Sequence, residues 1–306
     1  MSGLNGKAVL VTGVSGYLAP HVASAFKAAG RRVIGVDKQA SAHGSETETR
    51  VLDLAMPDSL THSGLLNGVN VVCHLGGVGD IYKAAEDPAT AFQDNVIATW
   101  EVVRAAAKVG IRRVVLASTW HLYGEAASEP VDETHPCHPR GAYALSKFSA
   151  EQLAIQEGAQ LGVDVVALRL GTAYGPGMRP QAVVRAMVEA AAAGRTLTVT
   201  HSRGTFRQLT HVADLGSAFV LASDERVRPG IYNAVSDEIV RIRDLAQTIA
   251  ARFGVGVAPA SLREETASFR ISSAAFQHHG WRARVPFAAG LEEAISLYGA
   301  RPTFAG

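Results

Sequence analysis

The chain has 306 residues and a formal net charge of +1, with 19% charged residues. That balance excludes the basic excess of a nucleic-acid binder and the charged face of a membrane-surface protein. At 47% hydrophobic it has the composition of a globular protein, long enough for one large domain or two intimate lobes. The two cysteines, Cys73 and Cys137, give no disulfide framework and suit a reducing cytoplasm. Residues 1–7 lack the apolar run of a signal peptide, and no apolar run reaches membrane-spanning length.

In chain order, residues 7–12 form a short apolar run that reads as a buried parallel strand. Gly13-Val-Ser-Gly16-Tyr-Leu-Ala19 follows, then a helix over 20–29 closed by Gly30. Residues 31–36 read as a second strand stopping at Asp37, and 69–75 as another stopping at Gly76-Gly77. Asp87 and Pro88 have the cap and first-position chemistry of a helix start, which predicts one long helix to Lys108. Arg112-Arg113 reads as exposed charge ahead of a strand that delivers Ser118 and Thr119. Residues 163–169 are a further strand.

This alternation predicts an α/β fold with a Rossmann-type doubly wound parallel sheet. From about residue 176 the rhythm changes. Helices are expected over 181–193, 212–222 and 242–253, with short segments near 197–200 and 207–210 and a short strand at 231–234. We therefore expect residues 1–175 to be mainly the cofactor domain with the catalytic residues. Residues 176–306 are expected to be mainly a smaller, mixed α/β C-terminal substrate lobe, with the chain crossing between the two. Open α/β sheets bind ligands at the carboxyl ends of their strands, and the lobe is expected over that edge.

Two local patterns carry chemistry. Gly13-x-x-Gly16-x-x-Ala19, with Ser15, Tyr17 and Leu18 inside it, lies between a strand and a helix. Glycine permits the tight turn and lets backbone N–H groups approach a pyrophosphate at the helix N-terminus. Asp37 ends the next strand about twenty residues on, where a carboxylate accepts ribose hydroxyls and repels a 2′-phosphate. The pattern favours NAD, with Lys38 partly offsetting the repulsion. The second pattern is Tyr143-x-x-x-Lys147 at a helix start. Residues at i and i+4 share a face, and a cation lowers a phenol pKa from about 10. Such a pair can exchange a proton with a substrate hydroxyl near neutral pH. The spacing alone equally describes a surface Tyr and Lys on an amphipathic helix.

Taken together, the motifs make the chain resemble the extended short-chain dehydrogenase/reductase family, in its NAD-dependent epimerase/dehydratase group, over nearly the whole length. The resemblance rests on Thr12-Gly13-x-x-Gly16, Asp53-Leu54, His74-Leu75-Gly76-Gly77, Asp87-Pro88 and Asn95-Val96-x-x-Thr99. It continues through Ser118-Thr119-x-x-x-Tyr123-Gly124, Tyr143-x-x-x-Lys147, Tyr174-Gly175-Pro176-Gly177 and Arg207-x-x-x-His211-Val212-x-Asp214. It implies that Thr119, Tyr143 and Lys147 are catalytic: Thr119 holds the reacting oxygen, Tyr143 takes the proton, and Lys147 holds the nicotinamide ribose and keeps Tyr143 acidic. It implies cofactor contacts at Asp53, Leu54, Leu75, Gly76, Gly77 and Asn95, and substrate contacts at Thr172, Arg179 and Arg207. Ser118 is either a substrate contact or a structural hydroxyl. His121 is either an acid/base or a pocket wall, and Arg207 either grips phosphate or pairs with an acid such as Asp214.

The function so implied is an NAD-dependent nucleotide-sugar epimerase working by transient hydride transfer. The alternatives are a dehydrogenase or reductase of a free sugar, sugar acid or other secondary alcohol, and a non-catalytic dinucleotide-binding sensor. The resemblance also implies a homodimer built on the helices around residues 88–108 and 143–160. Two departures stand out. Trp120-His121 replaces the Asp-Glu of the family's sugar dehydratases, and Thr172 replaces an Asn that touches nucleotide phosphates. His135-Pro-Cys-His138 lacks further spaced ligands, so no metal is expected.

Overall fold

The structure, a computed structural model, describes residues 8–40, 48–126, 128–199, 205–258 and 268–300. Residues 1–7, Thr200 and Gly204, used in reading the sequence, lie outside the described residues. Strands β1 (Ala8–Thr12), β2 (Arg32–Asp37), β3 (Glu48–Val51), β4 (Val69–His74), β5 (Arg113–Thr119) and β6 (Asp164–Leu170) join a later strand, Gly230–Ala234, in one seven-stranded sheet. Every pairing in it is parallel, in the order Gly230–Ala234, β6, β5, β4, β1, β2, β3. The order reverses at β1, so the crevice between the carboxyl ends of β1 and β4 is the natural ligand site of this doubly wound Rossmann sheet.

The helices are α1 (Ala19–Ala28), α2 (Ser59–His62), α3 (Ile81–Glu86), α4 (Pro88–Phe92), α5 (Ala98–Lys108), α6 (Gly141–Leu161), α7 (Val183–Ala192), α8 (Val212–Ala222), α9 (Ile242–Phe253), α10 (Ala274–His278) and α11 (Phe287–Tyr298). Side chains alternate along each strand, so both faces of the sheet are apolar. Ala8 and Leu10 of β1 pack with Val102 and Ala106 of α5 and Ala154 of α6. Val9 and Val11 pack on the other face with Val22 and Phe26 of α1 and Leu215 and Phe219 of α8. A separate core of α7, α9 and α11 underlies the smaller lobe. Short pairs complete it: Thr172–Tyr174 beside Leu209–His211, and Phe206–Arg207 beside Val240–Arg241. Among the described residues, no helix is long and apolar enough to cross a membrane.

Four details depart from the sequence reading. The strand at residues 231–234 belongs to the main sheet, beside β6, and α8 packs on α1. The chain thus returns to the first layer well past residue 175, because β6 leaves an open edge that only a tertiary partner can cover. The edge strand β3 was not foreseen, since Glu-Thr-Arg-Val is polar and incompletely buried. The predicted long helix from Pro88 is interrupted: α4 gives way to a π-helical turn, Gln93–Ile97, before α5. That turn buries Asp94 and Asn95, and such π turns cluster at functional sites. Finally, Arg113 is buried rather than exposed. Its Nη2 donates to the Val227 carbonyl at 3.0 Å, and its alkyl stem enters the sheet with β5.

Candidate active site

The loops after β1 and β4 lie back to back. Gly13 has φ +74°, and a Cβ there would sit 2.8 Å from the Gly76 backbone, so only glycine closes this turn. The Thr12 hydroxyl accepts the Leu75 and Gly76 N–H groups at 3.1 and 2.9 Å and bonds His74 Nδ1 at 2.8 Å. His74 Nε2 meets the Thr99 hydroxyl at 3.1 Å. Burial, with the Lys147 charge beside it, pushes His74 down to about 3, so this imidazole is a neutral strut.

A cavity of about 300 Å³ opens between these loops, lined among others by Ser15, Gly16, Asp37, Asp53, Leu54 and Gly77. A Cβ on Gly77 would collide with Asn95 Oδ1, itself a buried acceptor with no hydrogen-bond partner among the described residues. A glycine-walled cradle with a carboxylate at one end fits a dinucleotide. Asp37 Oδ2 accepts the Ser15 N–H at 3.0 Å and Oδ1 the Gln39 N–H at 3.0 Å, which fixes the carboxylate at the cavity rim.

Lys38, the one nearby cation expected to soften Asp37, is instead bonded to Asp94 Oδ2 at 2.6 Å. The π turn supplies that acid, and nothing in the local sequence of Lys38 signals it. With Lys38 compensated, Asp37 would repel a 2′-phosphate without that cation's offset. NAD should bind at least about tenfold tighter than NADP, a difference of ~1.4 kcal/mol. Asp37→Ala should weaken NAD and narrow the gap, whereas Asp94→Ala should free Lys38 and improve NADP. Paired affinity measurements check this, and a wild type preferring NADP would show that Lys38 dominates.

A second cavity of about 310 Å³ continues from the first and is lined by Tyr17, Leu18, Thr119, His121, Tyr143 and Lys147, among others. Thr119 ends β5, and its hydroxyl accepts the His121 N–H at 3.3 Å; it lines the same cavity as Tyr143. Tyr143 opens α6. Its turn is pinned because Asn95 Nδ2 donates to Ser146 Oγ at 2.9 Å, and Ser146 Oγ donates to the Tyr143 carbonyl at 3.0 Å. Thr119, Tyr143, Lys147 and Asn95 therefore converge as anticipated from the motifs.

The electrostatics differ from expectation. Burial raises the Tyr143 phenol above its ordinary value, against the lowering pull of Thr119 and Arg179. Lys147 does not reverse this. Burial pushes Lys147 itself down to about 8, opposed by the charge of Glu151. Spacing places the pair on one helix face, but loss of water outweighs their mutual effect.

The Ser118 hydroxyl donates to Glu151 Oε2 at 2.5 Å, and Ser118 also lines the second cavity. His121 stacks on Trp120 at 4.3 Å and meets the Tyr143 ring edge-on at 5.7 Å. Burial, and then the Arg207 charge, push His121 down to about 4, so its imidazole is neutral near pH 7.

On the substrate side, Thr172 lines both this cavity and a smaller one shared with Trp120, Arg207, Ser268 and Phe269. Asp214 does not pair with Arg207, because its two oxygens accept the Arg284 and Val285 N–H groups at 2.9 and 3.0 Å. Arg207 Nη1 donates to the Phe206 carbonyl at 2.7 Å and to Ser268 Oγ at 3.3 Å. Among the described residues no carboxylate bonds this half-buried guanidinium, and burial lowers its pKa. Arg179, bonded to Asp80 Oδ2 at 2.7 Å, lines both large cavities and links the lobe to the loop after β4. Asp80, Asp94 and Glu151 were missed in the sequence; only the placement of Glu151 one turn after Lys147 could have drawn notice.

The sequence profile of the NAD dependent epimerase/dehydratase family matches residues 9–234. The chain is similar to a trifunctional UDP-glucose 4,6-dehydratase/UDP-4-keto-6-deoxy-D-glucose 3,5-epimerase/UDP-4-keto-L-rhamnose-reductase of Arabidopsis thaliana. They are 21% identical over 100% of this chain, which spans about half, 49%, of that protein's length. It is similar to UDP-glucose 4-epimerase of Rhizobium meliloti (strain 1021), 26% identical over 96% of this chain and 97% of the relative. In structure it resembles MoeE5 in complex with UDP-glucuronic acid and NAD. The TM-score is 0.82 with 26% identity, covering 94% of this chain and 98% of the other. The match extends through most of the sheet and both cavities, and by it this protein belongs to the NAD dependent epimerase/dehydratase family, as an enzyme whose cofactor is NAD.

Proposed function

We propose that the protein is a nucleotide-sugar epimerase. The observation that carries this is Arg207: a half-buried guanidinium bonded among the described residues to the Phe206 carbonyl and Ser268 and to no acid, in a cavity that adjoins Thr119 and Tyr143 through Trp120 and Thr172. Its planar fork suits the oxygens of a diphosphate, and a half-buried cation without an acid partner among the described residues favours an anionic ligand. The sugar then extends toward Tyr143. Similarity to a UDP-glucose 4-epimerase supports the same reading.

In this reading Thr119 holds a sugar hydroxyl by hydrogen bond and Tyr143 takes its proton, while the C–H pair leaves as hydride. NAD supplies the hydride acceptor and, when oxidised, a positive ring charge that lowers a neighbouring phenol. Lys147 holds the ribose side of the site. Gly13, Gly16, Asp37, Asp53, Leu54 and Gly77, which line the first cavity, would hold the dinucleotide. The bound cofactor would take up and give back the hydride with no net oxidation, and Tyr143 would return the proton once the opposite sugar face is presented.

The enzyme is expected not to be a 4,6-dehydratase. Elimination needs an acid and a base beside Thr119, and Trp120 offers neither, while His121 stays neutral with its pKa at about 4. Incubation with UDP-hexoses and UDP-uronates, read by chromatography and at the NADH absorbance, tests both statements. Epimer without accumulating NADH is expected. Net NADH would favour a dehydrogenase, and a 4-keto-6-deoxy product would overturn the dehydratase exclusion.

The same reading makes the protein a cytoplasmic homodimer. Leu145 on α6 and Phe92 on α4 are exposed apolar side chains on two of the helices such a dimer would use. Both cysteines are free, which accords with a reducing compartment.

A further inference from the structure

Glu151 lies one turn beyond Lys147 on α6 and is 0% exposed. A buried carboxylate needs partners, and this one has four donor contacts, the longest from Gln152 Nε2 at 3.4 Å. Ser118 Oγ donates at 2.5 Å, Arg169 Nε at 3.1 Å and Arg169 Nη2 at 2.7 Å. Arg169 is 2% exposed, faces Ser118 across the β5–β6 register, and lies over the Tyr123 ring at 4.8 Å. One acid therefore ties α6, β5 and β6 together at the residue preceding Thr119 and one turn from Lys147. A well-packed apolar trio would hold the same elements as well or better, so stability alone does not account for the charges.

We propose that Glu151 is a positioning residue for the reaction: through Ser118 it fixes the end of β5 that carries Thr119, and through its charge it steadies the Lys147 ammonium. The inference rests on reading Tyr143 and Lys147 as the catalytic pair. Lys147 has His74 beside it from β4, Tyr143 and Glu151 on its own helix, and shares its cavity with His121 from the turn after β5 and Arg179 from the lobe loop. Arg169 stands behind Glu151 on β6. Both imidazoles are neutral at pH 7, with pKa values of about 3 and 4, and Tyr143 is raised. Among these groups, Glu151 supplies the negative charge that favours the ammonium.

Burial lowers Lys147 to about 8 and Glu151 opposes that lowering. Loss of the acid lets the value fall further, so protonated Lys147 disappears at lower pH. The test is the pH profile of kcat/KM, which reports groups of the free enzyme, for Glu151→Gln and for Glu151→Gln/Arg169→Met. The double variant leaves no uncompensated buried charge and guards against misfolding. An activity-independent readout is the 13C titration of the Lys147 side chain, assigned with Lys147→Met. We expect the alkaline limb and the Lys147 titration to move to lower pH by roughly one unit, a tenfold loss on the alkaline side. Ser118→Ala should lower kcat several-fold without moving the limb.

An unmoved limb and an unmoved Lys147 titration in a folded charge variant overturn the proposal. If both charge variants fail to fold, an unchanged kcat in Ser118→Ala overturns it. Tyr143→Phe separates the two levels: an inactive Tyr143→Phe beside an unmoved limb sinks only the role of Glu151. An active Tyr143→Phe sinks the catalytic pair itself.

Discussion

Tyr143→Phe is expected to reduce turnover by about 10²–10⁴-fold, the usual contribution of a positioned acid/base, while NAD affinity stays near wild type. The ring remains to pack against His121, whose centroid lies 5.7 Å away, so the change removes one hydroxyl and little apolar contact. Its turn is held by the Asn95–Ser146–Tyr143 carbonyl bonds, none of which uses the phenol. The deletion is therefore chemical rather than structural. Burial keeps this phenol protonated at neutral pH, so activation must come from charge brought close to it in the assembled site. Steady-state turnover and a separate NAD titration decide the matter; wild-type-like turnover would remove Tyr143 from the mechanism.

Arg207→Ala is expected to weaken apparent affinity for a nucleotide sugar by several-fold to hundreds-fold, about 1–3 kcal/mol for a charge-assisted contact. Affinity for the matching free sugar should not change. Because Arg207 bonds only the Phe206 carbonyl and Ser268 among the described residues, and Asp214 is occupied by backbone N–H groups, no buried acid is stranded by its removal. The fold should survive. KM for the two substrates, measured on wild type and variant, gives the answer. Equal wild-type activity on the free sugar would point instead to an oxidoreductase of simple sugars.

Much of this was legible in the residues themselves. Alternating apolar runs and glycine stops specify β1, β2, β4, β5 and β6, because a strand buried on both faces must be apolar throughout. The glycine loop and the Tyr143–Lys147 spacing are local in sequence, so helix geometry alone puts the phenol on the face of the ammonium, whereas the Ser15–Asp37 bond, 22 residues apart, needs β1 and β2 to pair first. The break at Gln93–Ile97 was not legible, since a π turn keeps helical composition and differs only in which carbonyl each N–H reaches. β3 was hidden for the opposite reason, being a polar edge strand recognised only by its pairing with β2.

Sequence by itself determined five strands of the sheet, the glycine loop after β1 and the helix face shared by Tyr143 and Lys147. Those depend on spacings of a few residues and on burial that composition already demands. Tertiary structure alone decided which charges meet. Lys38 finds Asp94, Arg179 finds Asp80, Ser118 and Arg169 find Glu151, and Asp214 turns to Arg284 and Val285 rather than to Arg207. Each of these pairs joins residues at least 18 positions apart, a separation already reached by Arg169 and Glu151. The directions of the Tyr143, Lys147 and His121 shifts followed the same rule. Each is set first by loss of water, and how much water a group loses depends on neighbours that only the folded chain brings to it.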